Sequence, residues 1–522
     1  MTDKPNVILV YADDLGRGML SCYGQKCFST PNLDRLAREG MQFYHAYGCH
    51  MCAPARASLL SGRHDCHAGG WSFTKAGIYI DYAKGKLSLE QVNELIQNTG
   101  IAAQGTGPLL PQIFRAAGYH TGQIGKLEWG FAVTAKEIQE HGWDYHYGYY
   151  DHLMCHGYYP PFLFENGTRV EIDGNTDPAC GKGYPYSHEK YWEYKNDKSD
   201  KRQYSQDLFD QKILEYIEQH QSEPFFLYHP TQLPHLALSI PTLHEQVKNH
   251  PKLNQSEKEY ASMVLRLDQT VGKIMNQLER LGLSHRTILI FTSDNGHCFY
   301  YGEERNGVGM HHTVHGEPVD HLHVRYTSER CGDIFDGNNG MTGCKLSNFE
   351  GGTRVPLIIR WPGKIRPCVT ERLVANYDIL ATMAELTGIE LQPGQKDSVS
   401  YLPLLLGREE SFQEHDYIVF AGEHGPAIVT KDGWKLRTHL HPDFGYGVFG
   451  AYWGQIRDKV TLELYHVCGD TREEENRMER DPDQAVRLLR SLLRECSGNL
   501  IHGTTQPHFA FYGGSFIEPQ EG

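Results

Sequence analysis

Two clusters of acidic and amide residues follow apolar segments that have the character of buried strands. Asn6–Tyr11 leads into Asp13-Asp14, and Thr287–Thr292 leads into Asp294-Asn295. In an open α/β sheet, ligands gather beyond the carboxyl ends of the strands. Three carboxylates and one amide oxygen brought together there would suit a hard divalent cation, Ca²⁺ or alternatively Mg²⁺. Either cluster alone is also typical of an ordinary turn.

A second segment whose residues could take part in catalysis is Cys52–Arg63, which reads CAPARASLLSGR. Cys-x-Pro-x-Arg followed by Ala-Ser-Leu-Leu-x-Gly-Arg closely resembles the signature of the type I, formylglycine-dependent sulfatases of the alkaline phosphatase superfamily. In that family the cysteine is converted after synthesis to formylglycine, an aldehyde. The resemblance implies that Cys52 becomes this residue and that a formylglycine-generating maturation enzyme acts on the chain.

The chemistry implied by the resemblance is nucleophilic catalysis with its own release step. One hydroxyl of the hydrated aldehyde attacks sulfur, and the other later loses its proton and expels sulfate. Arg56 lies one turn after Cys52 if the segment opens a helix, and its guanidinium could orient the nucleophile near the cation. The competing reading of Cys49-His50-Met51-Cys52 as a redox or metal motif lacks a second cysteine pair.

The resemblance continues along most of the chain and implies further site residues. Lys126 lies in a Gly-Lys segment, His235 in a Pro-His pair, and Lys345 ahead of the block Glu350–Pro356, all as in the family. Lys126 and Lys345 are predicted to hold the sulfate oxygens, and His235 to protonate the leaving alkoxide. The metal ligands implied by the same resemblance, usually for calcium, are Asp13, Asp14, Cys52, Asp294 and Asn295.

One position departs from the family pattern. The family usually has histidine two residues after the first lysine, and this sequence has Glu128. We predict that Glu128 takes over as a carboxylate base toward the formylglycine. The alternative is that Glu128 turns away and another group, such as a histidine from a loop, occupies its place.

Two stretches rich in histidine and aromatic residues are candidates for substrate recognition. They are residues 141–159 and 296–344. Aromatic faces with hydrogen-bonding tips suit sugars. We predict that His152, His156 and Arg325 bind the substrate there. The stretches could also be ordinary surface loops.

Two further alternatives concern metals and thiols. His311, His312 and His315 could form a zinc site, although no cysteine or glutamate pattern supports one. The 13 cysteines are irregularly spaced, so most are interpreted as free thiols.

The alternation of short apolar strands with helices predicts the element order of an α/β protein. The clearest helix is Glu257–Leu281, whose apolar residues fall on one face. We predict a large, mainly parallel mixed central sheet flanked by helices, alkaline-phosphatase-like by resemblance. Short strands separated by turns follow Gly407, so residues 1–407 are predicted as a catalytic domain and 408–522 as a smaller α+β domain with an antiparallel sheet.

The composition of the chain argues against nucleic acid and membranes as partners. Among 522 residues the formal net charge is −15, which disfavours nonspecific attraction to nucleic acid or acidic membranes. No apolar run is long enough to span a bilayer, and the apolar segment after the start is too short for a signal peptide. We expect a cytoplasmic protein, or one exported with a leader absent from this sequence.

The sequence therefore predicts a sulfuric ester hydrolase acting on a small sulfated substrate, a mono- or oligosaccharide. One alternative is a phosphonate or phosphate ester hydrolase of the same superfamily, which shares the Cys-x-Pro-x-Arg motif. Another is a binder of sulfated ligands without catalytic activity.

Overall fold

The computed structural model describes most of the chain. The described residues are 4–67, 76–99, 107–182, 190–301, 325–392, 397–422, 425–440, 460–498 and 500. In these residues, no helix is both long enough and apolar enough to cross a bilayer.

A mixed sheet of ten strands forms the centre of the described structure. In spatial order its strands are β11 (Cys368–Thr370), β2 (Met41–Phe43), β10 (Leu357–Arg360), β9 (Thr287–Ser293), β1 (Asn6–Ala12), β8 (Phe225–Pro230), β4 (His120–Gly125), β5 (Tyr145–Gly148), β6 (Phe162–Glu165) and β7 (Thr168–Glu171). A separate two-stranded pair joins β3 (Ala46–Tyr47) to β12 (Val374–Ala375).

The middle of the sheet is parallel and wholly buried. Strands β1, β8 and β9 are buried along their whole lengths, as near-continuous apolar runs in a two-sided sheet should be. β1 lies between β8 and β9 and pairs in parallel with both, in a register that sets Ala12 beside Ser293. The residues that follow these two strands therefore emerge side by side at one edge of the sheet.

Helices pack against both the central sheet and the C-terminal one. Their bounds are α1 (Pro31–Arg38), α2 (Cys52–Ser61), α3 (Ile78–Ala83), α4 (Leu89–Thr99), α5 (Leu110–Ala116), α6 (Ala135–Glu140), α7 (Tyr191–Asn196), α8 (Ser205–Gln219), α9 (Glu245–Lys248), α10 (Gln255–Arg280), α11 (Ser328–Cys331), α12 (Glu350–Thr353), α13 (Asp378–Thr387), α14 (Leu402–Leu405) and α15 (Pro482–Glu495). The longest, α10, matches the predicted helix within two residues at its start. Asn254 and Glu257 cap each other's backbone there.

The C-terminal part is a four-stranded antiparallel sheet with α15 packed on it. Its strands, in order, are β13 (Tyr417–Phe420), β14 (Ala427–Thr430), β15 (Trp434–Leu440) and β16 (Val460–His466). The predicted fold class, a mainly parallel mixed sheet with a smaller antiparallel α+β part, is confirmed. The boundary at residue 407 stays a prediction.

A buried ion network joins the two sheets. Lys435 on β15 lies 3.0 Å from Glu350 Oε1 and 2.9 Å from Glu473 Oε1, and Arg354 lies 2.6 Å from Glu350. The side chains of Lys435, Glu350 and Glu473 are fully buried. Burial opposes ionisation of Glu350, but Arg354 and Lys435 outweigh it and lower its pKa to about 2. The block that includes Glu350 therefore anchors the C-terminal sheet to the central one.

Replacing Lys435→Met should lower the free energy of unfolding by about 3–5 kcal/mol, because it leaves buried carboxylates without their ammonium partner. Denaturant unfolding followed by circular dichroism measures this change. The control is Lys431→Met, whose exposed side chain pairs with Asp416 and should leave the unfolding midpoint unchanged. Equal midpoints for both variants would contradict an anchoring role.

Candidate active site

The acidic and amide residues predicted as metal ligands lie together at the carboxyl ends of β1 and β9. The backbone N–H of Asp14 donates to Asp294 Oδ1 at 2.9 Å, and Asn295 Nδ2 donates to Asp14 Oδ1 at 2.8 Å. All four side chains, Asp13 included, are fully buried. The parallel register of the two strands brings together residues that lie about 280 positions apart in the sequence.

The donor atoms of this cluster fit a hard cation. Within the described residues, Asp13 Oδ1 and Asn295 Oδ1 are buried and accept no hydrogen bond. Burial and the neighbouring Asp13 raise the pKa of Asp294 well above its usual range. Buried oxygens that lack donors, in a cluster of like charges, form a site that a divalent cation would stabilise.

Cys52 lies next to this cluster, at the first residue of α2. Its Sγ and one carboxylate oxygen each of Asp13 and Asp294 all lie within 4.8 Å of one another. In a converted protein, the Sγ position marks roughly where the formylglycine oxygen would be. Burial raises the pKa of the Cys52 thiol, so an unconverted cysteine would stay a neutral thiol, which is a weak nucleophile.

Three cations surround the carboxylates. Lys126 Nζ lies 2.5 Å from Asp13 Oδ2, and Lys345 Nζ lies 2.8 Å from Asp14 Oδ2. The guanidinium of Arg56 lies 3.5 Å from Asp294 Oδ2 and 3.8 Å from Asp13 Oδ2. Arg56 therefore lies against the ligand carboxylates themselves, one helical turn after Cys52.

His235 completes this side of the site. Its Nδ1 donates to the Leu236 carbonyl, and its Nε2 lies 3.4 Å from Lys345 Nζ and 3.3 Å from Asp14 Oδ2. Burial lowers the pKa of His235 to about 3, although Asp14 and Asp13 act in the opposite direction. The neutral imidazole of His235 therefore has its lone pair on Nε2, which faces the Lys345 ammonium.

The contacts of Glu128 do not support its predicted role as the base, which stays a prediction. One carboxylate oxygen of Glu128 lies 2.5 Å from His141 Nδ1, and the other accepts from the indole N–H of Trp143. Burial disfavours a charged His141, but Glu128 outweighs it and raises the pKa of that imidazole. The carboxylate is therefore held by two donors from the connection between α6 and β5.

The alternative, a histidine from a loop, agrees with the structure. His152 Nε2 lies 3.7 Å from Cys52 Sγ, and the His152 side chain is buried. His152 was predicted to bind the substrate, and the structure places it against the nucleophile position. His156 packs beside it, with ring centroids 4.4 Å apart, and also stacks on His235 at 4.0 Å. His156 thus forms a wall of the site, and its contact with the substrate stays a prediction.

The contacts of Arg325 do not support its predicted role in substrate binding, which stays a prediction. Its guanidinium lies 3.0 Å from Glu463 and 2.5 Å from the Tyr465 hydroxyl, and it also donates to the Glu473 carbonyl. These partners belong to the C-terminal sheet and the loop after it, so Arg325 connects the two parts of the protein. The predicted zinc alternative at His311, His312 and His315 lies outside the described residues.

Sequence reasoning missed Lys182 altogether. Its Nζ lies 3.4 Å from His156 Nδ1, which brings a further cation to the wall of the site. The segment around Lys182 has no periodicity and no family motif, so no signal in the sequence marked it.

The fold and the site together define a hydrolase of the alkaline phosphatase-like fold. The family model described as Sulfatase matches residues 5–389, about three quarters of the chain. The chain therefore belongs to the sulfatase family and is an enzyme that hydrolyses sulfate esters. The resemblance and the class of enzyme predicted from the sequence are both confirmed.

Named relatives support this assignment along most of the chain. The chain is 29% identical to an N-acetylgalactosamine-6-O-sulfatase of Bacteroides thetaiotaomicron, covering 94% of this chain and 93% of the relative. It is 27% identical to human arylsulfatase A, covering 78% and 69%. A solved structure from work on glycosaminoglycan metabolism by Bacteroides thetaiotaomicron superposes with a TM-score of 0.65 at 26% identity, covering 95% and 100%.

The two candidate bases can be separated by kinetics with nitrophenyl sulfate. His152→Ala should lower steady-state turnover by about 100-fold or more, because it removes the group at the nucleophile. Nitrophenol should still be released in a first rapid burst, since the lost proton acceptor acts after the leaving group departs. Stopped-flow absorbance measures both phases.

Glu128→Gln is the matched variant for this test. It should leave turnover within about 3-fold and lower the free energy of unfolding by about 1.5–3 kcal/mol, through the lost charge-assisted bond to His141. A burst in the Glu128 variant, with none in the His152 variant, would reverse the assignment.

Proposed function

We propose that this sulfatase removes sulfate from a carbohydrate, with formylglycine made from Cys52 as its nucleophile and Ca²⁺ as its cation. The observation that carries the proposal is the meeting of Asp13, Asp294 and Cys52 ligand atoms within 4.8 Å in a buried site. Asp13, Asp14, Asp294 and Asn295 would hold the cation, for which Mg²⁺ is the alternative. The cation supplies Lewis-acid polarisation and favours the ionised nucleophile, and formylglycine supplies paired hydroxyls.

The lysines of the site bind the sulfate group. Lys126 and Lys345 each pair with one ligand carboxylate, so their ammonium groups point into the same small region. Preorganised cations of this kind are most effective where negative charge develops in the transition state. When a cation takes the carboxylate oxygens, both ammonium groups remain available to the sulfate oxygens.

Proton transfer is divided between two sides of the site. On the donor side, the Lys345 ammonium, 3.4 Å from His235 Nε2, is the proton source, and His235 passes its proton to the sugar alkoxide, which is a poor leaving group. His152 Nε2, 3.7 Å from the Cys52 position, accepts the proton whose loss releases sulfate. Arg56 keeps the carboxylates Asp13 and Asp294 in place between these sides.

The carbohydrate substrate is supported by the relatives and by the walls of the site. One relative is named for N-acetylgalactosamine 6-sulfate, and it spans nearly the same length as this chain. The stacked pair of His156 and His235 offers flat faces with polar edges, which suit a sugar ring. We propose a mono- or oligosaccharide sulfate as substrate and a separate maturation enzyme that converts Cys52.

The test combines mass spectrometry with kinetics on the protein purified from its native host. The peptide that contains Cys52 should carry formylglycine, and sulfate should be released from nitrophenyl sulfate and from N-acetylgalactosamine 6-sulfate. Cys52→Ala should abolish this release, whereas Cys368→Ala, at an exposed cysteine, should not.

Two results would contradict the proposal. Full activity with Cys52 still a thiol would exclude formylglycine as the nucleophile. Faster turnover of a nitrophenyl phosphonate than of nitrophenyl sulfate would favour the phosphonate hydrolase alternative.

A further inference from the structure

A cavity lined by lysines lies next to the proposed sulfate-binding site of Lys126 and Lys345, which we call the sulfate site. It is a narrow, partly open cleft, with about 320 Å³ of space between its walls when open solvent is counted. We call it the lysine pocket; its lining residues are Gly181, Lys182, Tyr194, Lys195, Lys198, Lys201, Ala237, Leu238 and Ser239. The roles assigned above to the catalytic residues involve none of its lysines.

Direct contacts connect the lysine pocket to the sulfate site. Lys182 Nζ lies 3.4 Å from His156 Nδ1, and the His156 ring stacks on His235 with centroids 4.0 Å apart. The backbone N–H of Ala237 donates to the His156 carbonyl at 3.3 Å. The pocket is therefore connected to the sulfate site through His156.

The pocket carries more positive charge than its neighbours balance. Lys195 pairs with Glu259, and Lys201 lies 3.0 Å from Asp200. Neither Lys182 nor Lys198 has a carboxylate oxygen within 4.0 Å in the part of the chain that the structure describes. This local excess is unusual in a protein whose formal net charge is −15.

Neighbouring cations act on both Lys182 and Lys198. Burial lowers the pKa of Lys182 to about 8, and the nearby Lys126 and Lys345 act in the same direction. Lys198 is exposed, and partial burial, followed by Lys201 and Lys195, lowers its pKa, whereas Glu259 and Asp200 act in the opposite direction. Packing accounts for part of the arrangement, since Lys198 Nζ lies 5.0 Å over the ring of Tyr159. It does not balance the charge, and a bound anion would.

We infer that the lysine pocket binds a second anionic group of the substrate, a sulfate or a carboxylate on the sugar whose sulfate ester is cleaved or on the adjoining sugar. Lys182 and Lys198 would supply the charge-assisted hydrogen bonds. The preferred substrate class is then a carbohydrate with at least two negative groups. The inference rests on the proposed hydrolysis of carbohydrate sulfates.

The first arm of the test measures kcat/KM on three probes. These are N-acetylgalactosamine 6-sulfate, N-acetylgalactosamine 4,6-disulfate and the disaccharide of glucuronate with N-acetylgalactosamine 6-sulfate. At least one doubly charged probe should exceed the singly charged one by about 10-fold, the effect of one charge-assisted bond. A preference for the disulfate would identify the second group as a sulfate. A preference for the glucuronate disaccharide would identify it as a carboxylate.

The second arm removes the pocket's unbalanced charges. Lys182→Gln with Lys198→Gln should reduce the preference ratio by about 10-fold, and added salt should reduce it in the wild type. Lys364→Gln, at an exposed lysine elsewhere, should leave the ratio unchanged. No preference in the wild type, or an equal loss on all three probes in the double variant, would overturn the inference.

Binding separates this inference from the proposed reaction. Calorimetry with the Cys52→Ala protein should show tighter binding of the preferred doubly charged probe, and the two lysine substitutions should remove the difference. If no probe is hydrolysed but this difference is found, the proposed reaction fails and the pocket stands. If hydrolysis occurs without the difference, the pocket inference fails alone.

Discussion

The structure depends on the balance of charge among three buried carboxylates at the ends of two adjacent parallel strands. Asp13, Asp14 and Asp294 are fully buried, and water is not available to screen them. Lys126, Lys345 and Arg56 converge on them from β4's end, from the loop before α12 and from α2. The sheet register, the start of α2 and the cation-bearing loops are therefore all constrained by one electrostatic requirement. The same requirement prepares a cation site beside residue 52.

His152 lies near Cys52 although it comes from a different part of the sequence than the histidine usual in the family. Position in space, more than position in the sequence, decides which side chain contacts residue 52. Where the family has a histidine two residues after the first lysine, Glu128 pairs with His141 and Trp143. His152, from the loop after β5, lies against the nucleophile position in its stead. β5 pairs with β4, so both loops emerge at the same edge of the sheet. A side chain from either can therefore reach residue 52.

Most of the fold and the central part of the site could be predicted from the sequence. Buried parallel strands are apolar throughout, and the acidic ends of β1 and β9 follow them directly, so local pattern was sufficient. The Cys52 segment carried a dense motif. The contacts of Glu128 and Arg325 could not be predicted, because packing sets their partners, and Glu463, a partner of Arg325, lies 138 positions away in the sequence. The lysine pocket was not predicted either, because only the fold brings Lys182 next to Lys195, Lys198 and Lys201.

The central claim is that a cation binds at the ends of β1 and β9 beside a converted residue 52. A crystal structure of the mature protein grown with Ca²⁺ tests it most directly. The account predicts one cation with oxygens of Asp13, Asp14, Asp294 and Asn295 at about 2.3–2.6 Å, and an oxygen of residue 52 in contact with it. A cation held instead by the nearby His152, Cys155 and His156, with the four oxygen ligands left to the lysines, would contradict it.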